Sequence, residues 1–213
     1  MRIAVIGASG RTGAHVMEQG VDLGHRMRAV VRDPDKLSAV LDDDIEDSSE
    51  VVEADVRDEA ALLHALEDVD GVVFCISTAG DATGRILRDG MRSCLAAMRL
   101  LGVSRIVAVS GSGHTTEGDD PLTRFLAKPI LRRFLGRAFA DMRSMEGLLR
   151  ESGADWTIIR PPRLTNWPER GYVERSDGNV RWRWMVSRAD LAAAVLDAVE
   201  DDAKVGATIS IAT

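Results

Sequence analysis

The chain is short of several residue types, and each shortage narrows what it can do. Aromatic side chains make up 4% of its 213 residues, with a single tyrosine, Tyr172. Two cysteines, Cys75 and Cys94, are too few for a disulfide scaffold. They lie in apolar stretches without metal-ligand spacing, so they read as small core residues in a reducing compartment, and no metal is expected. No apolar run is long enough to cross a bilayer as a helix, which leaves no integral membrane segment. A secretory start is also missing, since an apolar strand and a glycine loop begin at residue 2; a cytoplasmic protein is expected. Positive charge is in deficit. The 27 Lys and Arg against 34 Asp and Glu give a formal charge of −7. That argues against a general nucleic-acid binder, though not against a local cationic pocket. Internal repeats and low-complexity linkers are absent, and the length suits one domain spanning residues 1–213.

What is present is informative from the first residues. The strand Ile3-Ala4-Val5-Ile6 runs straight into Gly7-Ala8-Ser9-Gly10-Arg11-Thr12-Gly13 and then a helix over 11–23. Glycines allow the tight turn and let the backbone approach a pyrophosphate, while the helix start offers unpaired N–H groups and a positive dipole end. Strands at 26–31, 51–54, 71–76, 106–109, 156–159 and 208–211 alternate with helical stretches. Among these are a short helix opened by Pro34, a third helix over 59–66 and a long one from Ile86 to Leu101, closed by Gly102. Two more helical stretches precede the sixth strand, and Ser187 with Asp190 caps a last helix through Val199. Residues 42–47 read as an acidic surface loop. The alternation predicts an α/β fold with a doubly wound, mostly parallel Rossmann-type sheet.

Such a sheet binds ligands at the carboxyl ends of its strands. Arg32 directly follows the second strand, where a guanidinium accommodates the 2′-phosphate of NADP; Asp33 would instead hold the ribose of NAD if the strand ran one residue further. Asp55, after the third strand, is either an acceptor for the adenine amino group or a turn carboxylate. Ser77-Thr78-Ala79-Gly80 would border the cofactor ribose and nicotinamide. Ser110-Gly111-Ser112-Gly113-His114 offers hydroxyls and one imidazole for reaction chemistry, unless His114 is an inert loop histidine.

Taken in order, the glycine loop, Val31-Arg32-Asp33, Ala54-Asp55-Val56, Leu149-Arg150-Glu151-Ser152-Gly153 with Thr157-Ile158-Ile159-Arg160-Pro161-Pro162, and Ser187-Arg188-Ala189-Asp190 resemble a family. The chain is similar over nearly its whole length to the atypical short-chain dehydrogenases/reductases of the NmrA-like, NAD(P)-binding group, and within it to the flavin reductases of the biliverdin reductase B type. The resemblance implies that Gly7, Ser9, Gly10, Arg11, Thr12, Gly13, Arg32, Asp55 and Val56 hold NADP, with Ser77 and Thr78 beside it. It also implies that Ser110 and the Pro161-Pro162-Arg163 turn approach the nicotinamide, in a substrate pocket formed by about residues 111–186. Ser110, Arg163 and His114 are the expected catalytic residues.

The departures carry as much information. The family's tyrosine and lysine, one helical turn apart, are matched here by Phe139 and Arg143. Without that acid pair, alcohol–carbonyl chemistry is disfavoured, whereas hydride transfer to a flavin can draw its proton from water. Arg163 stands where the flavin-reductase pattern has histidine, and its charge would favour an anionic acceptor. The expected activity is NADPH-dependent reduction of a planar, flavin-like acceptor. The competing expectation is a non-enzymatic NADP(H)-binding redox sensor with a protein partner, and a weaker third is an epimerase-like enzyme. Two features stay open. Residues 121–137 mix apolar and cationic side chains, including Leu122, Phe125, Leu126, Lys128 and Arg132, around Pro129. They read as a half-buried surface helix, a membrane-surface or partner helix, or a lid. Arg181-Trp182-Arg183-Trp184 alternates as a strand would, its indoles packing on the sheet or stacking on a substrate.

Overall fold

A computed structural model describes residues 1–79, 81–119, 121, 124–125, 128–176 and 178–213, with side chains for all of these except 129, 131 and 132. Strand β1 (Arg2–Ile6) leads through the glycine loop into α1 (Arg11–Asp22), followed by β2 (Arg26–Val31), α2 (Asp35–Ser38), α3 (Asp43–Asp47) and β3 (Glu50–Glu53). The chain continues through α4 (Glu59–Ala65), β4 (Gly71–Phe74), α5 (Ile86–Leu101), β5 (Arg105–Val109) and α6 (Lys128–Arg150). Next come β6 (Asp155–Arg160), β7 (Arg163–Thr165), β8 (Val173–Ser176), β9 (Met185–Ser187), α7 (Arg188–Glu200) and β10 (Ala207–Ala212).

The main sheet has the order β3-β2-β1-β4-β5-β6-β10-β8. Every pairing in it is parallel except that of the edge strand β8 with β10. The expected doubly wound α/β fold is therefore what forms. Its strand order reverses between β1 and β4, where a doubly wound sheet opens its crevice. A separate ladder, β7 with β9, stands beside the ends of β6 and α7.

Strand alternation divides the core between the two faces. Ile3 and Val5 pack toward α1 and α7, while Ala4 and Ile6 pack toward α4, α5 and α6. Polar groups at the helix ends are satisfied by long-range partners. Asp141 on α6 accepts from the amides of Leu87 and Arg88, both at 2.9 Å, and so caps α5 from a neighbouring helix. Arg105, at the start of β5, donates to the carbonyls of Ala198 and Val199 at the end of α7. Burial lowers its pKa, but the helix C-terminus and the Asp155 carboxylate nearby favour its charge.

Several expectations need correcting. Residues 43–47 form one helical turn, because Asp43, Asp44 and Glu46 stand in its first turn, where the dipole favours negative charge. The fourth strand stops at Phe74, two positions early. Helix α6 is two helical stretches that meet at a break at Leu135, just before Gly136, and not at Pro129, which sits in its first turn, where a missing N–H costs nothing. Arg181–Trp184 is not a strand. Trp182 takes a left-handed φ of 61°, which turns the chain before β9 and leaves both indoles exposed.

Candidate functional site

Two hollows lie side by side at the carboxyl ends of the strands. The first, about 500 Å³, opens over the β1–β4 switch point. Its walls are Gly7, Ser9 and Gly10 from the loop, Arg32 after β2, Val56 and Arg57 after β3, and Ser77 after β4. Gly7 adopts φ +91°, and a Cβ there would lie 2.8 Å from the Cys75 carbonyl oxygen. A Cβ on Gly13 would lie 2.3 Å from the Gly7 carbonyl oxygen, so only glycine lets α1 sit this close to the loop. The first turn of α1 has neither a side-chain cap nor an acidic residue. Its leading N–H groups, with Arg11 on the first helical residue, are thus free to meet an anion, and this backbone fits a pyrophosphate.

Strand β2 ends at Val31, so Arg32 and not Asp33 enters the cleft wall. Asp33 is engaged by Lys36 at 2.7 Å, and that hydrogen bond lowers its pKa. Asp55 stands outside the lining: its carboxylate accepts from the amide of Arg57 at 2.9 Å and from the Arg57 guanidinium at 3.2 Å. Those bonds, with a smaller contribution from Arg32, hold its pKa below the ordinary value. Asp55 is thus a turn carboxylate in this structure, and Arg57, which sequence reasoning passed over, lines the cleft. Its signal was the Asp-x-Arg spacing, in which the carboxylate folds back on the chain two residues on. Thr12 and Gly13 lie in the first turn of α1 behind the lining, and Thr78 also stays outside it. Gly80 lies outside the described residues.

The second hollow, about 880 Å³, lies at the ends of β5 and β6. Ser110, Gly111, Pro161, Pro162 and Arg163 form its base, Phe139 and Met142 of α6 one side, and Leu164, Trp184 and Met185 another. Two backbone bonds tie the strand-end segments together: Ser110 N to the Ile159 carbonyl and Ser112 N to the Pro161 carbonyl, both at 2.9 Å. The Ser110 hydroxyl is buried with no hydrogen-bond partner among the described residues. Lys128, Arg163 and Arg188 contribute cations, and no carboxylate lines the hollow among the described residues. Lys128 is itself buried and paired with Asp119 at 2.5 Å. Phe139 faces the hollow where the resemblance expects a tyrosine, while Arg143 lines a different groove. Tyr172 is remote from both hollows, its hydroxyl donating to Asp197 at 2.5 Å.

His114 is placed differently from expectation. After β5 the chain closes a short turn over Ser112–His114, and this swings the imidazole beneath α6. The ring is buried, 3.3 Å from Glu146, and does not line the hollow with Ser110. Glu146, also buried, is shared with Arg160 at 2.5 Å and Arg150 at 3.0 Å. Burial alone would raise its pKa, but His114 and Arg160 outweigh that and hold the carboxyl well below its usual range. The cluster thus joins the segment after β5 to the end of β6. Cys94 is buried and Cys75 packs against the core; burial pushes both thiols up to about 12, so neither is a nucleophile at neutral pH.

The sequence profile of the NAD(P)H-binding family matches residues 7–202. The chain belongs to this family. Among curated relatives, the NAD(P)H-binding chain is 25% identical to the uncharacterised protein YwnB of Bacillus subtilis, covering 94% of this chain and 92% of that one. It is 27% identical to an uncharacterised sugar epimerase, YhfK, of the same organism, covering 94% and 89%. Solved structures share the fold. A short-chain dehydrogenase/reductase of Veillonella parvula in complex with NADP superposes with a TM-score of 0.83 at 20% identity, covering 100% of this chain and 94% of that one. A Streptococcus pneumoniae protein named as a candidate NADH-flavin reductase gives 0.80 at 21% identity, covering 100% and 99%. Among the described residues of this NAD(P)H-binding protein, no helix is long and apolar enough to cross a membrane.

Proposed function

We propose that the protein is a cytoplasmic, NADPH-dependent reductase of a planar acceptor such as a flavin, akin to the biliverdin reductase B type within the NmrA-like group. The second hollow carries this reading: among the described residues its lining is largely apolar and without carboxylates, and it lies at the ends of β5 and β6, next in the sheet to the strand ends that line the first hollow. The glycine loop and the α1 N-terminus would hold the pyrophosphate. Arg32 and Arg57 would hold the 2′-phosphate, which favours NADPH over NADH. NADPH supplies the hydride. Phe139, Met142 and the Pro161-Pro162 turn would orient the acceptor and exclude water, while Arg163 and Arg188 would attract its anionic groups. The Ser110 hydroxyl, with no partner of its own, would donate to the nicotinamide or the acceptor at their junction. Neither His114 nor Tyr172 reaches that point, so the proton needed to complete the reduction would come from water.

The test is NADPH oxidation by the purified chain with FMN, riboflavin, biliverdin and a small quinone offered in turn. Turnover well above the uncatalysed rate, faster with FMN than with riboflavin, is expected. Tight NADPH binding without turnover of any acceptor would favour the sensor reading, which the missing tyrosine and lysine support.

A further inference from the structure

We propose that the face around the mouth of the second hollow docks on an anionic lipid surface. Residues 121–140 and 178–188 carry eight of the chain's 27 Lys and Arg and none of its 34 Asp and Glu. The structure brings the two segments together, since Lys128 and Leu135 from one and Trp184 from the other border the same hollow. Among the described residues, the exposed Arg124, Arg133, Arg137, Arg181 and Arg183 therefore stand on two neighbouring segments that carry no Asp or Glu of their own.

These segments are also apolar. Phe134, 79% exposed, and Phe125, 74% exposed, are the two most exposed large apolar side chains among the described residues. Ile130 and Leu135 on the same helix as Phe134, and Trp182 and Trp184 on the second segment, are also exposed. The Arg124 guanidinium lies 5.6 Å from the Phe125 ring centre, and Arg133, Arg137, Arg181 and Arg183 are exposed. Aromatic rings that enter the interface, with arginines reaching the headgroups, are the combination an anionic bilayer surface binds. The acidic remainder of the chain would be repelled by that surface, which fixes the orientation.

A second copy of the chain fits this face less well. A two-fold dimer through it would set its cations against their own equivalents. In the lipid-bound orientation the hollow opens on the bilayer, so an amphiphilic planar acceptor could enter from the lipid. That consequence rests on the reductase reading; the docking itself does not.

The experiment is co-sedimentation of the whole chain with phosphatidylcholine vesicles, with and without about 30% phosphatidylglycerol. At least tenfold more bound protein is expected on the anionic vesicles, falling as salt rises from about 0.05 to 0.5 M. Phe134→Glu and Phe125→Glu, both at surface positions, should abolish binding while leaving the melting temperature unchanged. Equal or absent sedimentation on the two vesicle types would overturn the proposal, as would undiminished binding by both variants. So would a concentration-dependent dimer that Phe134→Glu dissolves in a chain that ignores lipid. Each readout is independent of turnover, so a failed reductase assay and a failed docking test are told apart.

Discussion

Replacing Glu146 with alanine tests whether the buried cluster of His114, Glu146 and Arg160 is what binds the segment after β5 to the end of β6. The carboxylate is 1% exposed and neutralises Arg160, itself a buried residue, through two hydrogen bonds. Truncation leaves that guanidinium buried without its partner, a change that costs about 3–5 kcal/mol. For a chain of this length each kcal/mol lowers the melting temperature by roughly 2–4 °C, so a fall of about 6–20 °C is expected. Glu67→Ala is the control, because its pairing with His64 is exposed at the surface and should shift stability by less than about 0.5 kcal/mol. Thermal and urea melts of both variants give the numbers. Acid should act in the same direction as the mutation. The folded pKa of Glu146 is depressed, so its contribution is full above the unfolded carboxyl value and is lost as pH falls below it toward the folded one. A Glu146→Ala variant that melts within about 2 °C of the parent would refute the reasoning.

Other outcomes follow from the same geometry. Arg32→Ala should weaken NADPH binding by about 1.5–3 kcal/mol and leave NADH nearly unchanged; equal losses, read by calorimetric titration, would remove the 2′-phosphate assignment. Gly10→Val should abolish binding of both cofactors by filling space at the loop, and unaltered affinities would make the loop purely structural. Gly13→Ala should destabilise the chain by about 1–3 kcal/mol or more, because the new methyl would meet backbone rather than a movable side chain; an unshifted urea midpoint would mean that α1 adjusts freely. Alkali should also destabilise. The Cys94 thiol has a folded pKa raised to about 12, so its contribution is whole below its unfolded value near 9.0 and is lost as pH rises above it. Between about pH 9 and 10 its share of the loss approaches 1.4 kcal/mol per unit, and Cys94→Ala should flatten the slope.

The parallel sheet was legible because its strands are buried on both faces and leave continuous apolar runs, as in Val72-Val73-Phe74, with glycine punctuation between them. The walls of the cleft over the β1–β4 switch point could also be read, since its parts are strand ends at fixed places in the chain. The side-chain directions could not. His114 and Ser110 are near neighbours in sequence, yet one short turn sends the imidazole to Glu146 and away from the hollow that Ser110 lines. Arg57 was missed because its exposure to the cleft depends on Asp55 folding back onto it. The alternation in Arg181–Trp184 misled because period two signals a strand only when a neighbour is available to pair, and here Trp182 turns the chain instead. The long-range cap from Asp141 to α5 has no local signature at all.

The central proposal is direct hydride transfer completed by a proton from water and not from His114 or Tyr172. Its most direct test is single-turnover oxidation of NADPH carrying deuterium at the transferring nicotinamide carbon, with saturating FMN, followed by stopped flow from about pH 6 to 9. A primary isotope effect with a rate that barely changes across that range is the predicted result. A titrating rate would reveal a side-chain acid or base taking part and contradict the account, and bound NADPH that is never consumed would contradict the reductase outright.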